Sequence, residues 1–94
     1  MTEKKGVRAI ISGRVQGVNF RMATSMAADR YGVAGWVRNV PDGTVEAYIE
    51  GDSENVDSML EWCRKGPPAA SVTDLKVQVE EYSGKYNDFS VRYT

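Results

Sequence analysis

The sequence predicts an α+β sandwich, with two helices on one face of an antiparallel sheet in the order β-α-β-β-α-β. Three observations predict it. Ninety-four residues make one domain with one modest core, so a single domain over residues 1–94 is expected. The hydrophobic period switches between two and 3.6 residues along the chain, with no repeat, linker or low-complexity tract. The two helical segments are separated by strand-like runs, and laying both helices on one sheet face is the economical packing.

Each element has its own local reason. Val7 to Ser12 is rich in β-branched residues and ends at Gly13, which predicts a strand. Met22 to Tyr31 is rich in Ala and Met at helical spacing, and Gly32 suits the position just past a helix end. The spacing of Met22 and Met26 predicts core filling. Trp36–Val40 and Thr44–Glu50 alternate around Pro41-Asp42-Gly43 and predict a hairpin. Asp52 or Ser53 can cap a second helix, on which Val56, Met59, Leu60 and Cys63 form one apolar stripe. Arg64-Lys65-Gly66-Pro67-Pro68 then supplies the stop. Leu75, Val77 and Val79 alternate as a fourth strand, and Phe89, Val91 and Tyr93 suggest a short fifth. This is the ferredoxin-like split βαβ order, a superfold that fixes no function.

Composition narrows the chemistry. Twelve Lys and Arg against thirteen Asp and Glu leave a net charge of −1, so no whole-domain basic footprint for nucleic acid or anionic lipid exists. There is no His and one Cys, Cys63. A Cys/His zinc site, a disulfide framework and Ser-His-Asp or Cys-His catalysis are thereby excluded. An enzyme built from this chain runs without the usual general base, which points to substrates already activated. No apolar run is long enough to span a membrane, and the N-terminus lacks a signal-peptide core, so a cytoplasmic address is expected.

The segment that carries chemistry is Gly13-Arg14-Val15-Gln16-Gly17-Val18-Asn19-Phe20-Arg21, between the first strand and first helix. Two glycines four apart permit backbone conformations closed to other residues. A loop feeding straight into a helix leaves backbone N–H groups unpaired at the positive end of the dipole, an anion nest. Arg21 on the first turn can add a bidentate grip on phosphoryl oxygens. A tight structural turn with a solvated Arg accounts for the spacing equally well. The segment is neither a Walker A motif nor a Rossmann fingerprint.

Residues 13–21 resemble the first signature of the acylphosphatases, G-R-V-Q-G-V-x-F/Y-R. Gly35-Trp36-Val37-Arg38-Asn39, followed by Gly43, Val45 and Gly51, resembles the second. Two motifs in the right order, with fitting length and element order, extend the resemblance over nearly the whole chain; only Met1–Gly6 and the last few residues lie outside it. Position 19 varies in the family, and Asn19 can alter the lip of the loop.

The resemblance implies hydrolysis of acyl phosphates to a carboxylate and inorganic phosphate. It implies that the loop residues Val15, Gln16, Gly17, Val18, Asn19 and Phe20, with Arg21, bind the phosphoryl group, and that Asn39 orients the attacking water. No cofactor and no metal are expected. A small acyl phosphate is the expected partner, with phosphate a competitive inhibitor, no nucleic acid or membrane, and a monomeric state. The chemistry is consistent: a carboxylate needs no acid to leave, and positioning with electrostatics suffices for phosphoryl transfer.

Other residues invite plainer readings. Cys63 on the apolar stripe reads as a buried, inert thiol. Trp36 and Tyr48 read more readily as packing than as borders of a site, Arg14 and Arg38 as solvated or as sources of positive potential, and Ser12 and Thr24 have no base to activate them. An RNA-recognition module shares the element order, but a third strand exposing Glu46, Tyr48 and Glu50 would be acidic. A non-catalytic ligand-sensing or regulatory domain is the principal alternative. A carbamoyl-phosphate-handling domain of hydrogenase maturation is a further one, for which the chain is too short.

Overall fold

The structure is a computed structural model and describes residues 3–93. The elements run β1 (Lys4–Arg14), α1 (Phe20–Tyr31), β2 (Ala34–Asn39), β3 (Val45–Asp52), α2 (Ser53–Lys65), β4 (Ser71–Glu80) and β5 (Phe89–Arg92). They form one five-stranded sheet in the order β4-β1-β3-β2-β5. β1 pairs antiparallel with β3 and β4, and β2 with β3, in the split βαβ arrangement. β5 pairs parallel to β2, so the sheet is mixed, where the sequence predicts a purely antiparallel one. The chain must cross from one sheet edge, β4, to the other to make that pair, and alternation within a four-residue strand carries no information about it.

Side chains alternating along the strands build the core with the helices. Val7, Ile11, Val37, Val45, Ala47 and Ile49 are all buried against Phe20, Ala27 and Ala28 of α1 and Val56, Met59 and Cys63 of α2. The α2 stripe is therefore as the sequence predicts. α1 is rotated from expectation: Phe20, Thr24, Ala27 and Ala28 face inward, while Met22 and Met26 are 48% and 63% exposed. Phe20 sets this rotation, because the bulkiest wholly apolar side chain of the helix takes the core position.

Two further expectations change on the sheet. Val77 and Val79 sit opposite Ala9 and Val7 and face the helix side, yet both are exposed, because β4 is an edge strand beyond the cover of the helices. Glu46, Tyr48 and Glu50 do lie on the face away from the helices, but all three are buried. β3 is central, flanked by β1 and β2, and residues 81–83 fold onto it. Arg38 Nε donates to Glu46 at 2.6 Å and Arg8 pairs with its other oxygen at 3.3 Å. Glu50 accepts from the Tyr48 hydroxyl at 2.6 Å and from the Ser83 N–H and hydroxyl at 2.9 and 2.8 Å. The face is thus not the open acidic surface that alternation suggests.

Candidate active site

β1 ends at Arg14, so Gly13 and Arg14 belong to a strand, at a register shift, and the loop proper is residues 15–19. Its two ends are nailed into the core by Val15 and Phe20, 1% and 2% exposed. The Phe20 ring stacks at an angle on Trp62, centroids 5.8 Å apart. Between these anchors, Gln16 Nε2 donates to the carbonyls of Val40 and Thr44 at 2.7 and 2.9 Å, stapling the loop to the β2–β3 hairpin. Asp42 in turn fixes that hairpin by accepting from the Thr44 N–H and hydroxyl.

The loop itself turns through left-handed conformations at Gly17 (φ 74°) and Asn19 (φ 62°). Glycine tolerates this freely, and asparagine is among the few other residues that do. Across residues 16–22 no backbone N–H finds an acceptor among the described residues. Of these residues, Gly17, Asn19, Phe20, Arg21 and Met22 line an open cleft of about 230 Å³ at the N-terminus of α1. Unpaired backbone donors grouped at an open cleft and at the positive end of a helix have the chemistry to seat an anion.

Arg21 and Asn39 line this same cleft although they come from α1 and the end of β2. Arg21 Nη1 donates to the Arg92 carbonyl at 3.3 Å, and its guanidinium lies 4.7 Å from the centre of the Tyr93 ring. Those contacts use one face and one donor, leaving the rest of the five-donor fork available. The half-buried Asn39 carboxamide makes no hydrogen bond to a described residue. Gly17 and Asn19 also line the cleft, whereas Gln16 turns to the hairpin and Val18 packs on the core. Neither Gln16 nor Val18 lines the cleft.

Residues beyond the expected set complete the walls. Val91 and Tyr93 form one side and Met22 the rim. Local sequence gives no signal for the first two, which reach the cleft only through the parallel β2–β5 pairing. Trp36 and Tyr48 lie on the opposite sheet face, Trp36 under the Arg92 guanidinium at 4.7 Å, and neither borders the cleft. Arg38 is neutralised by Glu46, so it adds no free charge. Cys63 is wholly buried, and burial pushes its thiol up to about 12. Thr24 donates to the Phe20 carbonyl within α1. Among the described residues no three His, Cys, Asp or Glu side chains are grouped to hold a metal ion, and no helix is long and apolar enough to cross a membrane.

Comparison with known proteins decides what this architecture is. The sequence profile of the family described as Acylphosphatase matches residues 7–91. The chain belongs to the acylphosphatase family. An acylphosphatase of Methylococcus capsulatus is 48% identical over 87 residues, covering 93% of this chain and 95% of that one. Another, of Rubrobacter xylanophilus, is 51% identical over 90 residues, covering 96% and 82%. The crystal structure of acylphosphatase from Bacillus subtilis superposes with a TM-score of 0.90 at 39% identity, covering 95% of this chain and 99% of that one. Acylphosphatases are acid-anhydride hydrolases, so the chain is an enzyme of that class. Residues of the segment resembling the first signature and Asn39 of the segment resembling the second meet in this chain at the cleft between the loop and the end of β2.

Proposed function

We propose that the chain hydrolyses acyl phosphates at the cleft, with the backbone of residues 15–20 and Arg21 holding the phosphoryl group and Asn39 orienting the attacking water. The observation that carries this reading is the convergence of Arg21, Asn39 and a row of unbonded loop N–H groups on one cleft.

The phosphoryl group seats its three oxygens on the loop donors and on the guanidinium fork. Asn39 cannot act as a base, but its carbonyl oxygen accepts a hydrogen bond from water and aims it at phosphorus, opposite the leaving oxygen. The water oxygen then bonds to phosphorus as the bond from phosphorus to the acyl oxygen breaks. The electron pair departs on the carboxylate, and a water proton passes to a phosphoryl oxygen, giving dihydrogen phosphate. No acid is needed for so good a leaving group. Fixed donors aimed at the phosphoryl charge provide the acceleration.

The proposed reading includes no cofactor or metal requirement, a cytoplasmic setting, a monomer, and competitive inhibition by inorganic phosphate, which fits the same seat. Release of phosphate from benzoyl phosphate, with a phosphate monoester as control, tests it. Turnover of the first and not the second is expected. Turnover of neither would favour the ligand-sensing alternative.

A further inference from the structure

β5 is a four-residue edge strand, and Arg92 at its end and Tyr93 just past it supply two of the contacts that hold Arg21. Phe89 is buried and Val91 packs on the core, but Arg92 is exposed and Tyr93 is 76% exposed. The core thus anchors β5 only as far as Val91. Yet the Arg92 carbonyl accepts from Arg21 Nη1 at 3.3 Å, and the next residue, Tyr93, sets its ring 4.7 Å from the same guanidinium. Whatever fixes Arg92 therefore fixes both contacts.

Its anchor lies on the other face of the sheet. Successive residues of a strand point to opposite faces. Val37 and Val91 are paired and face the core, so Trp36 and Arg92 project from the face away from the helices. There the Arg92 guanidinium lies 4.7 Å from the centre of the half-buried Trp36 ring, and it makes no salt bridge to a described residue. Indole is the strongest of the aromatic rings at holding a cation. β2 is paired on both sides, by β3 and β5, so the ring stands on fixed backbone. Arg92 therefore spans the sheet, with its side chain on Trp36 and its carbonyl on Arg21. We propose that Trp36, which does not line the cleft, is a positioning residue for the reaction: by holding the Arg92 side chain it fixes the carbonyl that orients the Arg21 guanidinium over the anion seat. This role rests on the proposed hydrolysis at the cleft. The physical gain is preorganisation, because a long arginine side chain already held in place loses less freedom when the phosphoryl group arrives.

Two single variants and a double-mutant cycle test it. Trp36→Leu removes the π face and keeps an apolar side chain. Arg92→Gln removes the cation at an exposed position and keeps the backbone carbonyl, so it decides the question even if Trp36→Leu fails to fold. Each should lower kcat/KM for benzoyl phosphate, and raise the inhibition constant for phosphate, by about two- to fivefold, the scale of an exposed cation–π contact. Trp36→Phe restores a ring and should recover part of the loss. Because the effect runs through Arg21, adding Trp36→Leu or Arg92→Gln to Arg21→Ala should change neither quantity further. A loss through general loosening of the fold, or through the missing charge of Arg92 alone, would persist in the Arg21→Ala background. That result would overturn the proposal, as would wild-type kinetics in either folded single variant, and both leave the hydrolysis standing. A wild-type protein without acyl phosphate turnover, or an Arg21→Ala variant as active as wild type, would remove hydrolysis at the cleft and the role of Trp36 with it.

Discussion

The Arg92 carbonyl accepts a hydrogen bond from the Arg21 guanidinium at 3.3 Å, across 71 positions of sequence. The last strand thereby holds a side chain of the first helix turn over the anion seat, and Tyr93 covers its other face at 4.7 Å. Arg21→Ala should lower kcat/KM for benzoyl phosphate by about 10²–10³, the cost of removing a donor aimed at reacting charge. It should also weaken inhibition by phosphate. Arg21→Lys should recover little, because an ammonium lacks the planar fork. Unchanged kinetics in Arg21→Ala would show that the cleft is not the site.

Asn39→Ala should separate catalysis from binding. With the loop and Arg21 intact, turnover should collapse while the inhibition constant for phosphate stays near its original value. Equal loss of both would make Asn39 a binding or structural residue instead.

Gln16→Ala removes both hydrogen bonds that staple the loop to the hairpin. At about 0.5–1.5 kcal/mol for each bond, stability to urea should fall by about 1–3 kcal/mol. Phosphate should inhibit less well, because a freed loop must order its N–H groups on binding. Undiminished phosphate inhibition would mean that Val15 and Phe20 alone hold the loop.

Acid should weaken the fold through Glu50. Burial pushes its carboxyl up, but donors from Tyr48 and Ser83 together outweigh burial, and its pKa lies below the ordinary 4.5. A lowered pKa contributes stability above the unfolded value and loses it as pH falls through the folded one. Burial and the same hydrogen bond push the Tyr48 hydroxyl up to about 12, so it remains a donor throughout. Urea midpoints should therefore drop as pH is lowered below about 4.5, and Glu50→Gln should flatten that dependence while lowering stability at pH 7. A wild-type slope retained in Glu50→Gln would assign the acid sensitivity to other carboxylates.

Thiol reagents and chelators should leave turnover intact. Cys63 is buried in the α2 stripe with its thiol held protonated, so iodoacetamide should not react with the native fold. Cys63→Ala should cost about 1–2 kcal/mol of stability through a small cavity, without changing kcat. Loss of turnover in EDTA, restored by Mg²⁺, would contradict charge neutralisation by the loop and Arg21 alone.

Much of this protein is settled by local chemistry. The α2 stripe, Gly32 as the end of α1 and the turn at Asp42 depend on spacing and backbone preference, which are properties of short segments. Gly13, Gly17 and Arg21 suggest an anion seat by the same local rules, which a plain structural turn satisfies equally well, and the absence of His constrains the chemistry through composition alone. The tertiary structure alone decides what depends on neighbours from elsewhere in the chain. Strand alternation cannot reveal that β3 is central, so Glu46 and Glu50 are buried and hydrogen-bonded rather than exposed. Helical spacing cannot choose between Phe20 and the Met22–Met26 pair for the core; competition for one fixed volume does, and turns the methionines outward. Nor can a four-residue strand announce its parallel pairing with β2, which carries Val91, the Arg92 carbonyl and the adjoining Tyr93 to a cleft whose other residues lie far earlier in the sequence. Segments fix which face and which turn. Burial and long-range pairing are fixed only when the whole chain shares one core.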